Sequence, residues 1–150
     1  MPAAARFAGE GRLTWWGFTV YDARLWVAPE FTSRQLARHA FALELTYLRN
    51  LRADDIVRTT LEEMRRTADI PDDTAARWAA QLRPLLRDVK TGDRIAAVNR
   101  PGRGAAFFVN GKTTGDIADP QFAQRFFAIW LAPTTSEPGL RAALLGDTVQ

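Results

Sequence analysis

Gly11-Arg12-Leu13-Thr14-Trp15-Trp16-Gly17-Phe18-Thr19-Val20-Tyr21-Asp22-Ala23-Arg24-Leu25-Trp26-Val27 is dense in aromatic and β-branched residues, broken near its middle by Gly17 and stopped by Pro29. Such residues suit a pleated, half-buried surface, so the stretch predicts two strands joined by a tight turn at Trp16-Gly17. A two-residue turn there would pair Trp15 with Phe18, Thr14 with Thr19, Leu13 with Val20 and Arg12 with Tyr21. Strand alternation then puts Arg12, Thr14, Thr19 and Tyr21 on one face. A guanidinium opposite a phenol suits a carboxylate or enolate, because arginine can bind it bidentately while the hydroxyl adds a donor. The alternative is that Arg12 runs out to solvent and Tyr21 is packing.

Further along, Phe41, Leu43, Leu45 and Tyr47 alternate with Ala42, Glu44 and Thr46, a third strand over about residues 41–48. Residues 53–68 carry Ile56, Val57, Thr60, Leu61 and Met64 as one helical stripe. Asp54 and Asp55 at its start and Arg65 and Arg66 at its end complement the helix dipole. Pro71 closes that segment, and Asp72-Asp73-Thr74 opens a second helix bearing Ala75, Trp78, Leu82 and Leu86.

Strands then return. Residues 92–98 lead through Pro101-Gly102 into Ala105-Ala106-Phe107-Phe108-Val109, and Asn110-Gly111 is a strong hairpin signal before residues 112–117. Asp119-Pro120 reads as an N-cap followed by proline at the first helical position, opening a helix to about Leu131. A last helix covers about residues 137–145. The order strands, helices, strands, helices argues an α+β fold, an antiparallel sheet covered by helices.

The 150 residues suit one domain, taken as 1–150 with residues 1–8 as a flexible N-terminal segment. Hydrophobic residues at 47% and charged residues at 25% are ordinary globular proportions. With no cysteine, disulfides, thiolate metal sites and cysteine nucleophiles are excluded. His39 is the single histidine, so no multi-histidine metal site exists, and no metal or cofactor is expected. Ser33 and Ser136 lie outside any nucleophile-elbow context, and the glycines match no phosphate loop. The acidic pairs Asp54-Asp55, Glu62-Glu63 and Asp72-Asp73 open helices or face arginines at helical spacing, which makes them structural.

The net charge is +3, and all of the 20 basic residues except Lys90 and Lys112 are arginine. They are scattered from Arg6 to Arg141, where a nucleic-acid binder more often gathers charge on one face, so no nucleic acid is expected as a partner. No run approaches the roughly 18 apolar residues of a membrane span. The opening Met1-Pro2-Ala3-Ala4-Ala5-Arg6 carries no signal-peptide pattern. The expectation is a cytoplasmic protein, or a periplasmic one if a leader has been trimmed.

Four segments taken together resemble the bacterial chalcone isomerase-like proteins. They are the glycine-arginine segment Gly9-Glu10-Gly11-Arg12-Leu13, the run from Val20-Tyr21-Asp22-Ala23 to Trp26, Phe107-Phe108-Val109-Asn110-Gly111, and Phe126 to Leu131 followed by Thr135-Ser136-Glu137-Pro138. The resemblance extends from about Gly9 to Gly146. It implies the chalcone isomerase fold, with a ligand cleft between an antiparallel sheet and a layer of helices. Arg12 matches the arginine that faces the cleft in the plant isomerases. Tyr21 stands where those enzymes have a threonine and the fatty-acid-binding relatives a tyrosine. By this resemblance Arg12 and Tyr21 would hold a lipid carboxylate, flanked by Thr14 and Thr19, with the tail among Trp16, Phe107 and Phe126. The expected partner is a small amphipathic or apolar acid bound without catalysis. The alternative is an isomerase of the chalcone–flavanone type, an intramolecular lyase using Arg12 to stabilise an oxyanion.

Overall fold

In a computed structural model, the structure describes residues 5–146. Six strands form one sheet in chain order: β1 (Arg6–Trp15), β2 (Phe18–Val27), β3 (Phe41–Tyr47), β4 (Arg94–Arg100), β5 (Gly104–Val109) and β6 (Lys112–Ile117). Every neighbouring pair is antiparallel. Four helices fall in the predicted segments: α1 (Ala53–Thr67), α2 (Asp72–Leu82), α3 (Pro120–Leu131) and α4 (Pro138–Leu145). Helix α2 stops before Pro84, so Leu86, read as part of it, lies beyond it in extended backbone. The α+β expectation holds, with short 3-10 turns at Ser33–Arg38 and Arg83–Leu85 that the sequence did not announce.

Period-2 alternation decides which face meets the helices. Tyr21, Ala23, Leu25 and Val27 of β2 and Phe41, Leu43, Leu45 and Tyr47 of β3 are buried in one core. That core continues through Val57, Leu61 and Met64 of α1, Trp78 and Leu82 of α2, and Phe122, Phe126 and Trp130 of α3. A chain of aromatic contacts links sheet to helix, with Phe107 of β5 edge-on to Phe126 at 5.4 Å and Phe41 of β3 to Phe127 at 4.7 Å. The opposite face of the sheet carries a smaller apolar patch of Ala42, Val98 and Ala106 with Phe108 against it, and Trp26 with Phe7 edge-on to it.

Local signals act as read. Asp119 caps α3, its carboxylate accepting from the backbone N–H of Gln121 and Phe122. The acidic pairs are structural: Asp54 meets Arg83, Asp55 and Glu62 meet Arg58, Glu63 meets Arg66, and Asp72 meets Arg65. Two further expectations need correction. Residues 6–8 of the segment taken as flexible belong to β1, while residues 1–4 lie outside the described residues. The glycines of β1 serve close packing: a Cβ at Gly9 would run into the carbonyl oxygens of Ala143 and Leu144, so its absence lets α4 lie on the edge strand.

The second correction concerns register. Trp15 pairs with Phe18 and Thr14 with Thr19 as predicted, but the next pair is Leu13 with Tyr21, then Arg12 with Asp22. Val20 is an extra residue on β2, a bulge that moves the pairing by one. A one-residue shift exchanges the faces of everything beyond it. Arg12 and Tyr21 therefore stand on opposite faces, not together.

Candidate functional site

Between the inner face of the sheet and helices α1 and α3 lies a cavity of about 760 Å³. Its inner wall is apolar, built from Leu45 of β3, Ile95 of β4, Phe107 of β5, and Phe126 and Ile129 of α3. The paired tip of β1 and β2 supplies its lip: Trp15, Trp16 and Phe18 line the opening, and the Arg49 guanidinium lies 4.6 Å above the Phe18 ring. Among the described residues Arg49 has no carboxylate partner, whereas Arg66, which also lines the cavity, is held by Glu63. Ser136 donates to the other oxygen of Glu63, tying the segment before α4 to α1.

Two phenols stand inward of this lip. Tyr21 is buried, and its oxygen accepts a hydrogen bond from Trp130 Nε1 at 2.8 Å, which leaves its O–H free to donate. Tyr47 pairs with Tyr21 across β2 and β3, the rings edge-on at 5.7 Å. Only 4% of Tyr47 is exposed, and its hydroxyl makes no hydrogen bond among the described residues. Burial pushes both phenols above their ordinary range; the Trp130 bond partly offsets this for Tyr21, and the neighbouring Tyr21 adds to it for Tyr47. Both remain protonated donors at neutral pH. They can bind an acceptor oxygen, and neither is a base.

The residues singled out from sequence divide accordingly. Tyr21, Trp16, Phe107 and Phe126 line the cavity. Arg12, Thr14 and Thr19 do not. Arg12 donates from Nε to Asp22 at 2.7 Å on the outer face, with 55% of its side chain exposed. Asp22 holds the guanidinium above its usual range, and Arg12 in turn holds the Asp22 carboxyl below the usual one. An arginine spent on its own cross-strand carboxylate, on the wrong side of the sheet, stabilises no oxyanion in the cavity. The isomerase alternative loses the one residue it was built on.

Arg49, Tyr47 and Trp130 were missed. A signal for Arg49 existed, because Leu45, Tyr47 and Arg49 continue one face at period 2 past the end assigned to the third strand. A larger hollow of about 980 Å³ beside α3 holds none of the predicted site residues, but it gathers Arg34, Arg38, Arg100, Arg125 and Arg141, which the sequence scatters. Among the described residues no cluster of three or more acidic or histidine side chains could hold a metal.

The profile of a family described as chalcone isomerase-like matches residues 7–146. An uncharacterized protein of Haemophilus influenzae is 27% identical over 151 residues, covering 97% of this chain and 73% of that protein. In three dimensions the chain is similar to an Arabidopsis thaliana fatty-acid binding protein. The TM-score is 0.72 at 9% identity, over 97% of this chain and 88% of that one.

Proposed function

The chain belongs to the chalcone isomerase-like family, and on that premise we propose that it is a non-catalytic binder of a small amphipathic or apolar acid, fatty-acid-like in form. The observation that carries this reading is an apolar cavity with a cation at its lip that has no carboxylate partner among the described residues. Its volume of about 760 Å³ falls within the usual range of small-molecule sites. The tail would lie against Leu45, Ile95, Phe107 and Phe126, and the carboxylate would meet Arg49. Tyr21 and Tyr47 would donate to an oxygen of the ligand. The similarity in fold to a fatty-acid binding protein supports the same ligand class.

Magnitudes divide the labour. Each buried methylene contributes about 0.8 kcal/mol, so eight carbons supply roughly 6 kcal/mol before ordering costs. The tail sets affinity and the head sets orientation. Titration calorimetry with a medium-chain fatty acid and the matching alcohol tests this. The acid is expected to bind the parent protein more tightly than the alcohol, and Arg49→Ala to weaken the acid by about tenfold while hardly touching the alcohol. Arg12→Ala should change neither. Equal binding of acid and alcohol, or no binding of either at micromolar concentration, overturns the reading.

A further inference from the structure

Among the described residues the large apolar side chains left exposed are Phe7, Trp15, Trp16 and Phe18. Three of the four sit on the β1–β2 tip, where Trp16 is 86%, Phe18 59% and Trp15 47% exposed. Folding alone does not account for this. Trp16 has φ 53° and Gly17 φ 79°, the left-handed pair of a type I′ turn, whose first position favours asparagine, aspartate or glycine. The only other non-glycine residue described with positive φ is Asn110, in the matching turn before Gly111. Asn110 uses its side chain locally, accepting from the backbone N–H of Arg94. Trp16 makes no such bond among the described residues, and it holds a strained backbone while presenting an indole to water.

From these exposures and the usual size of aromatic side chains, the tip offers roughly 400 Å² of surface. That is about half of what a stable protein interface takes from each partner. A narrow hairpin tip of that size is a poor contact for a second copy. It suits the boundary of a lipid bilayer, where indole and phenyl rings settle at headgroup level. Arg49, over Phe18 and without a carboxylate partner among the described residues, matches an anionic headgroup. We infer that the Trp15–Phe18 tip and Arg49 dock the chain on an anionic lipid surface, with the cavity mouth turned toward the membrane. Continuity supports the orientation, since the same four residues rim the cavity. Arg49 also serves the proposed acid site, but the aromatic tip docks whether or not the cavity holds an acid.

Co-sedimentation of the full chain with phosphatidylcholine vesicles, with and without phosphatidylglycerol, tests it, together with tryptophan quenching by brominated lipid. The parent is expected to bind vesicles containing phosphatidylglycerol, less so as salt rises, with quenching that reports inserted indoles. Trp16→Asn should weaken this partitioning by about tenfold, and Arg49→Ala by about fivefold on anionic vesicles only. Trp16→Asn supplies the residue the turn prefers, so an unchanged or raised Tm separates lost docking from lost folding. No association with either vesicle, or equal association by Trp16→Asn, overturns the inference. So does a concentration-dependent dimer of the parent that Trp16→Asn abolishes, because the tip would then be a self-contact.

Discussion

The hairpins at the two edges of the sheet end in the same kind of turn at the same end of the molecule, yet different side chains stand on them. On the β5–β6 hairpin, Asn110 bonds back to Arg94, and Phe107 below it is fully buried against Phe122 and Phe126. On the β1–β2 hairpin, Trp16 stands in water beside two further exposed aromatics, and Val20 bulges out of register just below. The first keeps the residue its turn prefers and buries the ring below it, although Thr114 is an extra residue in the pairing opposite Phe107 and Phe108. The second gives up local preference at the turn and leaves its aromatic side chains in water. The difference teaches where in this molecule residue choice answers to something other than stability, and it falls at the cavity mouth.

The largest expected break in that comparison is Phe107→Ala. Removing a buried ring that touches two others should cost about 4 kcal/mol, read as a lower midpoint in urea. Phe18→Ala on the other hairpin should stay within about 0.5 kcal/mol of the parent, because that ring is mostly in solvent. Similar losses for both would show that the β1–β2 tip is packed after all.

A smaller contrast lies between the two tyrosines, the only ones in the chain. Tyr21→Phe strips the buried Trp130 N–H of its acceptor and should cost about 1–3 kcal/mol. Tyr47→Phe removes a hydroxyl that makes no hydrogen bond among the described residues and should cost less. Both phenols have folded-state pKa values raised by burial, so their contribution to stability is fully present below the ordinary phenol value of about 10. It is lost as pH rises above that value, since the unfolded chain then ionises first. Phenolate absorbance in a pH titration should appear only together with unfolding; a phenolate in the native protein near pH 10 would place a tyrosine in water.

The smallest effect belongs to the outer face. Arg12→Ala should move Tm by no more than about 2 °C, as exposed ion pairs contribute little. Asp22 has a depressed pKa, so what the pair does contribute is present above the ordinary carboxyl value and lost as pH falls through it. A large loss at neutral pH, or any loss of ligand, would return Arg12 to the site.

The element order, the two turns, the Asp119 cap and the structural role of the acidic pairs were legible in the sequence, because each rests on residues within a few positions of one another. Alternation along β2 and β3 named the core face of both strands for the same reason. Tyr21, Phe107 and Phe126 came to the site through the resemblance to the chalcone isomerase-like proteins, Tyr21 also through the hairpin pairing. What was not legible is which residues share the cavity, and it turned on Val20. Nothing local marks a valine as the extra residue of a bulge, since a β-branched side chain fits either face of a strand equally well. Only the turning of Leu13 into the core and of Tyr21 toward α3, with Arg12 left to pair with Asp22, selects the shifted register. The role of Arg49 was closed to the sequence for a related physical reason. A cation is assigned to a cavity by what lies around it, and its position over Phe18 at the lip, with no carboxylate paired to it among the described residues, exists only once the sheet and helices have met.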